Sequence, residues 1–119
     1  FRTVRAPNLS IIEQHEPEKL EQAMSAGDAR ELRDMMVAVV DEGTGRPAAI
    51  PGVEVGGKTG TAESAPERPP YAWFIGFAPA DDPQVAVAVL VESTSDTGDI
   101  GGGRLGGPIA RSVMEAVLR

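Results

Sequence analysis

The chain has 119 residues and a net charge of −7, from 11 Lys and Arg against 18 Asp and Glu. That length fits one domain or part of one, and that charge argues against the basic face by which proteins hold nucleic acid. The absence of cysteine excludes a thiol nucleophile, a disulfide framework and Cys-ligated zinc.

Hydrophobic residues make up 41% of the chain, so a packed core is possible, yet no apolar run reaches the length that spans a bilayer. Residues 1–22 read as a trailing segment, with a short apolar run at 9–12 and an acidic connector at 13–21. The single histidine, His15, lies among Glu13, Gln14 and Glu16 and reads as a solvated surface residue. One histidine also disfavours a Ser-His-Asp triad.

Ser25-Ala26-Gly27-Asp28 resembles a capping box, with Asp in place of the usual Glu. Leu32, Met35, Met36, Val39 and Val40 then recur at helical spacing and predict a core-facing stripe. Asp41-Glu42-Gly43 stops this helix, with Gly43 at the C′ position. Residues 44–52 are loop-like between Pro47 and Pro51, and 53–62 read as a strand despite Gly56, Gly57 and Gly60. Glycine inside a strand often marks close approach of a backbone or a ligand.

A proline-rich loop is predicted at 64–70, an apolar strand at 71–77 and a turn at 79–83. A third strand at 84–91 is continuous enough in valine to be buried on both faces. Residues 92–107 are polar and glycine-rich, and Pro108 is suited to open a final helix. Its expected apolar face is Ile109, Val113, Ala116 and Val117. Short connections favour antiparallel neighbours, and helices at both ends suggest a covering layer. The expectation is an α+β fold.

Three glycine motifs compete for a functional reading. Gly52 to Thr59 fits the phosphate-binding pattern G-x-x-x-x-G-K-T, but Pro47 and Pro51 disfavour the strand that must precede it. Gly60 and the prolines from Pro66 disfavour the helix that must follow. Gly101-Gly102-Gly103-Arg104-Leu105-Gly106 fits G-x-G-x-x-G, but no second strand or ribose-binding acid follows it, so a flexible connector is the better reading.

The third motif is Lys58-Thr59-Gly60-Thr61-Ala62. K-T-G is a motif of penicillin-binding proteins and serine β-lactamases. Here its surroundings match as well: Gly43-Thr44-Gly45 ends the helix and Ile50-Pro51-Gly52-Val53 leads into the strand. Trp73-Phe74-Ile75-Gly76-Phe77-Ala78-Pro79 follows the variable loop. From about residue 32 to 118 this succession resembles class B penicillin-binding proteins, particularly the actinobacterial PbpA type.

The resemblance implies the C-terminal part of a β-lactamase/transpeptidase-like fold, with an antiparallel sheet covered by the first and last helices. It implies that Lys58 and Thr61 are catalytic, Lys58 through proton transfer and positive potential, Thr61 through an oxyanion-hole N–H. It implies that Thr59, Gly60 and Thr61 bind substrate, the hydroxyls holding a carboxylate and Gly60 leaving room for the ligand backbone. Strict alternation nevertheless puts Thr59 and Thr61 on one face of the strand and Lys58 on the other.

Two motifs of the family are missing. No serine is followed three residues later by lysine, and the only asparagine, Asn8, lacks the serine of S-x-N. Residues 1–119 are therefore expected to be the C-terminal portion of a transpeptidase domain whose nucleophile-bearing half lies upstream. The parent protein would be a peptidoglycan D,D-transpeptidase on the extracytoplasmic face of the bacterial membrane, held by an N-terminal anchor. Its partners would be D-Ala-D-Ala stem peptides, β-lactams and its own upstream half, with no nucleic acid, cofactor or metal. The alternatives are a D,D-carboxypeptidase or serine β-lactamase of the same superfamily, or a non-catalytic β-lactam or peptidoglycan sensor.

Overall fold

The structure is a computed structural model and describes residues 2–16, 18, 21–63, 70–92 and 101–119. Most of the expected loop, 64–69, and the stretch 93–100 of the expected connector lie outside the described residues. The elements are β1 (Thr3–Arg5), β2 (Ile11–Gln14), α1 (Ala26–Asp41), a 3-10 turn (Arg46–Ala48), β3 (Gly56–Ala62), β4 (Tyr71–Ala78), β5 (Val85–Val91) and α2 (Gly102–Leu118). The class is α+β, as the order of sequence patterns predicts.

The supposed trailing segment contains a hairpin. β1 pairs antiparallel with β2, Thr3 against Gln14 and Arg5 against Ile11. The Asn8 side-chain oxygen accepts from the Ser10 N–H at 3.1 Å, and Leu9 turns the chain with a φ of 67°. Ile11 and Ile12 are both exposed, so these strands carry no alternating signal.

Ser25 caps α1 by accepting from the Asp28 N–H at 3.1 Å, and Glu42 closes it, which puts Gly43 at C′ as read. The apolar stripe is core only near its end. Val40 is buried and Met36 and Val39 are half-buried, whereas Leu32 and Met35 are exposed.

β3, β4 and β5 form an antiparallel sheet in that order. Thr59 lies opposite Phe74, and Phe74 opposite Val89. The third strand of the sequence pattern is therefore in its expected place. The ladder starts at Gly56 rather than at residue 53. Pro51-Gly52 makes a turn in which Gly52 takes a φ of 77° and the Val53 N–H bonds the Ile50 carbonyl at 3.1 Å.

Helices cover one face of this sheet. Ala72, Phe74, Gly76 and Ala78 are buried there, while Trp73 and Ile75 on the other face are 38% and 46% exposed. β5 alternates likewise, with Val89 buried and Ala86, Ala88 and Leu90 exposed. The expectation that β5 is buried on both faces is thus corrected among the described residues. Alanine and valine on both sides of a strand give no sign of which side is covered.

The last helix also differs from expectation. It begins at Gly102, so Pro108 lies inside it instead of opening it. Its buried residues are Gly102, Gly103, Gly106, Gly107, Ala110 and Met114. A β-carbon on Gly106 would stand 2.7 Å from Cβ of Phe74, so the helix lies against the sheet at a separation only glycine permits. Close packing outweighs the poor helix propensity of glycine. The expected apolar face, Ile109, Val113, Ala116 and Val117, points outward instead.

The core joins Val40, Val55, Phe74, Val89, Ala110 and Met114. Phe74 is its centre, fully buried between the sheet and α2. Phe74→Ala should therefore lower the unfolding free energy by about 3–5 kcal/mol. A urea midpoint unchanged from that of the parent would contradict this placement.

Candidate active site

Three segments that are distant in sequence meet along β3. The first is the loop after α1, where Gly45 N–H bonds the Val39 carbonyl at 2.9 Å and fixes the chain around Thr44. The second is β3 itself, which pairs only with β4 among the described residues and so leaves its other edge open. The third is the N-terminus of α2. A β-carbon on Gly102 would overlap the Trp73 carbonyl oxygen and lie 2.7 Å from that of Gly60. One on Gly103 would overlap the Thr44 carbonyl oxygen and lie 3.0 Å from the Thr59 methyl group.

Thr59 is half-buried and turned toward the helical layer, on the same face as its partner Phe74. Its Oγ1 lies 2.9 Å from Oγ1 of Thr44. The positive end of the α2 dipole adjoins Thr59 and Gly60, and such a terminus favours an anion. Thr61 is exposed on the same strand, opposite Ala72.

Lys58 is exposed and pairs with Ile75 on the uncovered face, so alternation separates it from Thr59 as the sequence predicts. Its side chain then bends back. Nζ donates to the Thr59 carbonyl oxygen at 2.6 Å. Charge and hydroxyl thus come to adjacent residues of one strand although their stems leave opposite faces.

The other motifs resolve against nucleotide binding. Lys58 lies within β3, not at the start of a helix. Gly102 and Gly103 of α2 lie against the Trp73 and Thr44 carbonyl oxygens with no room for a β-carbon, which gives these glycines a packing role. His15 is exposed and pairs with Glu13 at 2.8 Å, away from β3. Sequence reasoning missed Thr44, read only as the end of a helix, and the glycines of α2, read as a connector. Glycines 102, 103, 106 and 107 do repeat at helical spacing, a signal that a scan for hydrophobic residues passes over.

K-T-G is a motif of penicillin-binding proteins and serine β-lactamases, and here it lies on the edge strand of an antiparallel sheet backed by the glycine-faced α2. The chain belongs to the penicillin-binding protein transpeptidase domain family, whose model matches residues 3–115. It is 44% identical to the peptidoglycan D,D-transpeptidase PbpA of Mycolicibacterium smegmatis, over 98% of this chain and 24% of that protein. It is 38% identical to the stage V sporulation protein D of Bacillus subtilis, over 90% of this chain and 17% of that protein.

Among solved structures it resembles a ceftriaxone acyl-enzyme complex of penicillin-binding protein A from Mycobacterium tuberculosis. The TM-score is 0.80 at 40% identity, covering 99% of this chain and 27% of the other. The chain thus spans about a quarter of the length of these PbpA relatives.

Proposed function

We propose that this chain is the C-terminal portion of the transpeptidase domain of a peptidoglycan D,D-transpeptidase. The K-T-G edge strand carries the reading. β3 presents Thr59 beside the positive end of α2 and Thr61 two residues further along, with the Lys58 ammonium folded onto the same strand. The relatives named D,D-transpeptidase support the reaction class.

The nucleophilic serine is supplied by the remainder of the domain, since no S-x-x-K occurs in these residues. The surfaces are consistent with a neighbouring half. Trp73, Ile75 and Leu90 leave an apolar sheet face exposed, and Ile109, Val113 and Val117 leave an apolar helix stripe exposed. Clustered apolar surface of this kind marks an interaction site.

In the assembled site, the serine oxygen attacks the carbonyl carbon of the penultimate D-Ala of a stem peptide. The terminal D-Ala leaves, and the acyl group passes to an amine of a neighbouring strand. Lys58 supports proton transfer to and from the serine, and its charge draws the anionic end of the substrate. Thr59 and Thr61 hydroxyls hold that terminal carboxylate.

Thr61 also supplies an oxyanion-hole N–H. In an antiparallel strand alternate residues turn N–H and C=O to the same edge. The Thr59 carbonyl is reached by Lys58 Nζ, which supports its lying on the open edge, and Thr61 shares its sense two residues on. Loss of one such donor commonly costs ~2.7–4 kcal/mol of transition-state stabilisation. β-Lactams acylate the same serine. The enzyme works outside the cytoplasmic membrane through an anchor in another part of the protein. No described helix of this segment is long and apolar enough to cross a membrane.

The test uses the complete protein beside residues 1–119 alone, each incubated with a fluorescent penicillin and read by intact mass. The complete protein should gain one penicilloyl group and transfer a D-Ala-D-Ala donor to an amine, and the segment should gain none. A stoichiometric adduct on a serine of the segment would overturn the division of the site. Hydrolysis of the donor without transfer would make the protein a carboxypeptidase.

A further inference from the structure

We propose that Thr44 is a positioning residue for the carboxylate-binding hydroxyl, donating its own proton to Thr59 so that the Thr59 proton points to the open edge of β3. The inference rests on the functional reading above. Its starting point is the contact of 2.9 Å between the two Oγ1 atoms, in which either can be the donor.

A hydroxyl carries one proton and two acceptor positions. Two hydroxyls in contact share a single proton between them, so the direction of that bond decides what Thr59 offers a ligand. If Thr59 donates to Thr44, only its lone pairs remain, and they repel a carboxylate. If Thr44 donates, the Thr59 proton is left for the carboxylate. An anion at the edge selects the second direction and completes a chain from Thr44 O–H to Thr59 O–H to carboxylate. Bonds linked in this way polarise and strengthen one another.

The surroundings hold both side chains to this arrangement. Thr44 follows a helix end anchored by Gly43 and Gly45 N–H bonds to the Val39 carbonyl, at 3.2 and 2.9 Å. Gly103 of α2 lies so close to the Thr44 carbonyl oxygen that a β-carbon there would overlap it, so the loop is packed directly on the helix at this point. A β-carbon on the same Gly103 would lie 3.0 Å from the Thr59 methyl group, which puts the methyl on the α2 side while the Thr59 oxygen meets Thr44. Thr44 itself is exposed, so its proton has no buried competitor to satisfy. It acts on the ligand only through Thr59.

The experiment measures acylation of the complete protein by a β-lactam with a free carboxylate and by its methyl ester. The variants are Thr44→Val, Thr44→Ser, Thr59→Val and the double Thr44→Val, Thr59→Val. Thr44→Val should slow the free acid by about two- to tenfold. It should leave the ester nearly unchanged, and Thr44→Ser should restore the rate. The double variant should be no slower than Thr59→Val alone, because the lost proton acts through an oxygen already removed.

If Thr44→Val slows acid and ester equally, or multiplies fully with Thr59→Val, Thr44 merely supports the loop and the proposal fails while the carboxylate reading stands. If Thr59→Val itself leaves the free acid unaffected, the carboxylate reading fails and takes this proposal with it.

Discussion

Lys58→Ala should slow β-lactam acylation of the complete protein by about a hundred- to ten-thousandfold, the range typical for a group that moves protons in the transition state. Little of that loss should come from the fold. Lys58 is exposed, its strand neighbour Ile75 is exposed as well, and among the described residues its side chain donates to a backbone carbonyl. Thermal unfolding of the variant should therefore match the parent, as surface substitutions shift stability by only about ±0.5 kcal/mol.

Lys58→Arg separates the two roles. Arginine keeps the charge but holds its proton at every relevant pH. It should recover ligand attraction, seen as a lower apparent dissociation constant, without recovering the acylation step. Full recovery by arginine would reduce Lys58 to a source of field. An alanine variant within about threefold of the parent, too small a change for a proton-transfer group, would remove Lys58 from the mechanism.

The sheet was legible in the sequence because turn-forming residues separate its apolar runs. Pro79 and Pro83 bracket one turn, and the strands on either side pair in the expected order. The face of each strand was less legible. Trp73 and Phe74 are adjacent aromatics, and only the position of α2 decides that Phe74 is buried and Trp73 exposed.

α2 was misread for the same reason in reverse. Its inward face is built of glycine, which has no side chain to register as hydrophobic, while its outward face carries Ile109, Val113 and Val117. The K-T-G residues could be read as a motif. Their supports could not, because Thr44 and Gly103 reach Thr59 only through the folded chain.

Thr59→Val is the second large effect, and it tests which end of the ligand this strand holds. Valine keeps the branched shape at Cβ, so the methyl group on the side of Gly103 is retained. Thr44 is exposed and its hydroxyl can turn to water, so the substitution leaves no buried polar group unpaired. What disappears is one hydroxyl at the edge of β3. A hydrogen bond to a charged group contributes about 1.5–3 kcal/mol, and ~1.4 kcal/mol is tenfold in rate.

Acylation by a β-lactam with a free carboxylate should accordingly fall by about ten- to a hundredfold. Esterifying the carboxylate removes the charge that the hydroxyl meets, so the ester should react slowly with the parent and be nearly indifferent to Thr59→Val. Stopped-flow measurement of both ligands on both proteins gives the four rates required. Should the ester lose as much from the substitution as the acid does, the Thr59 hydroxyl does not bind the carboxylate. The anion would then have to be held by Thr61 and the α2 terminus alone, and Thr61→Val would be the variant that separates acid from ester.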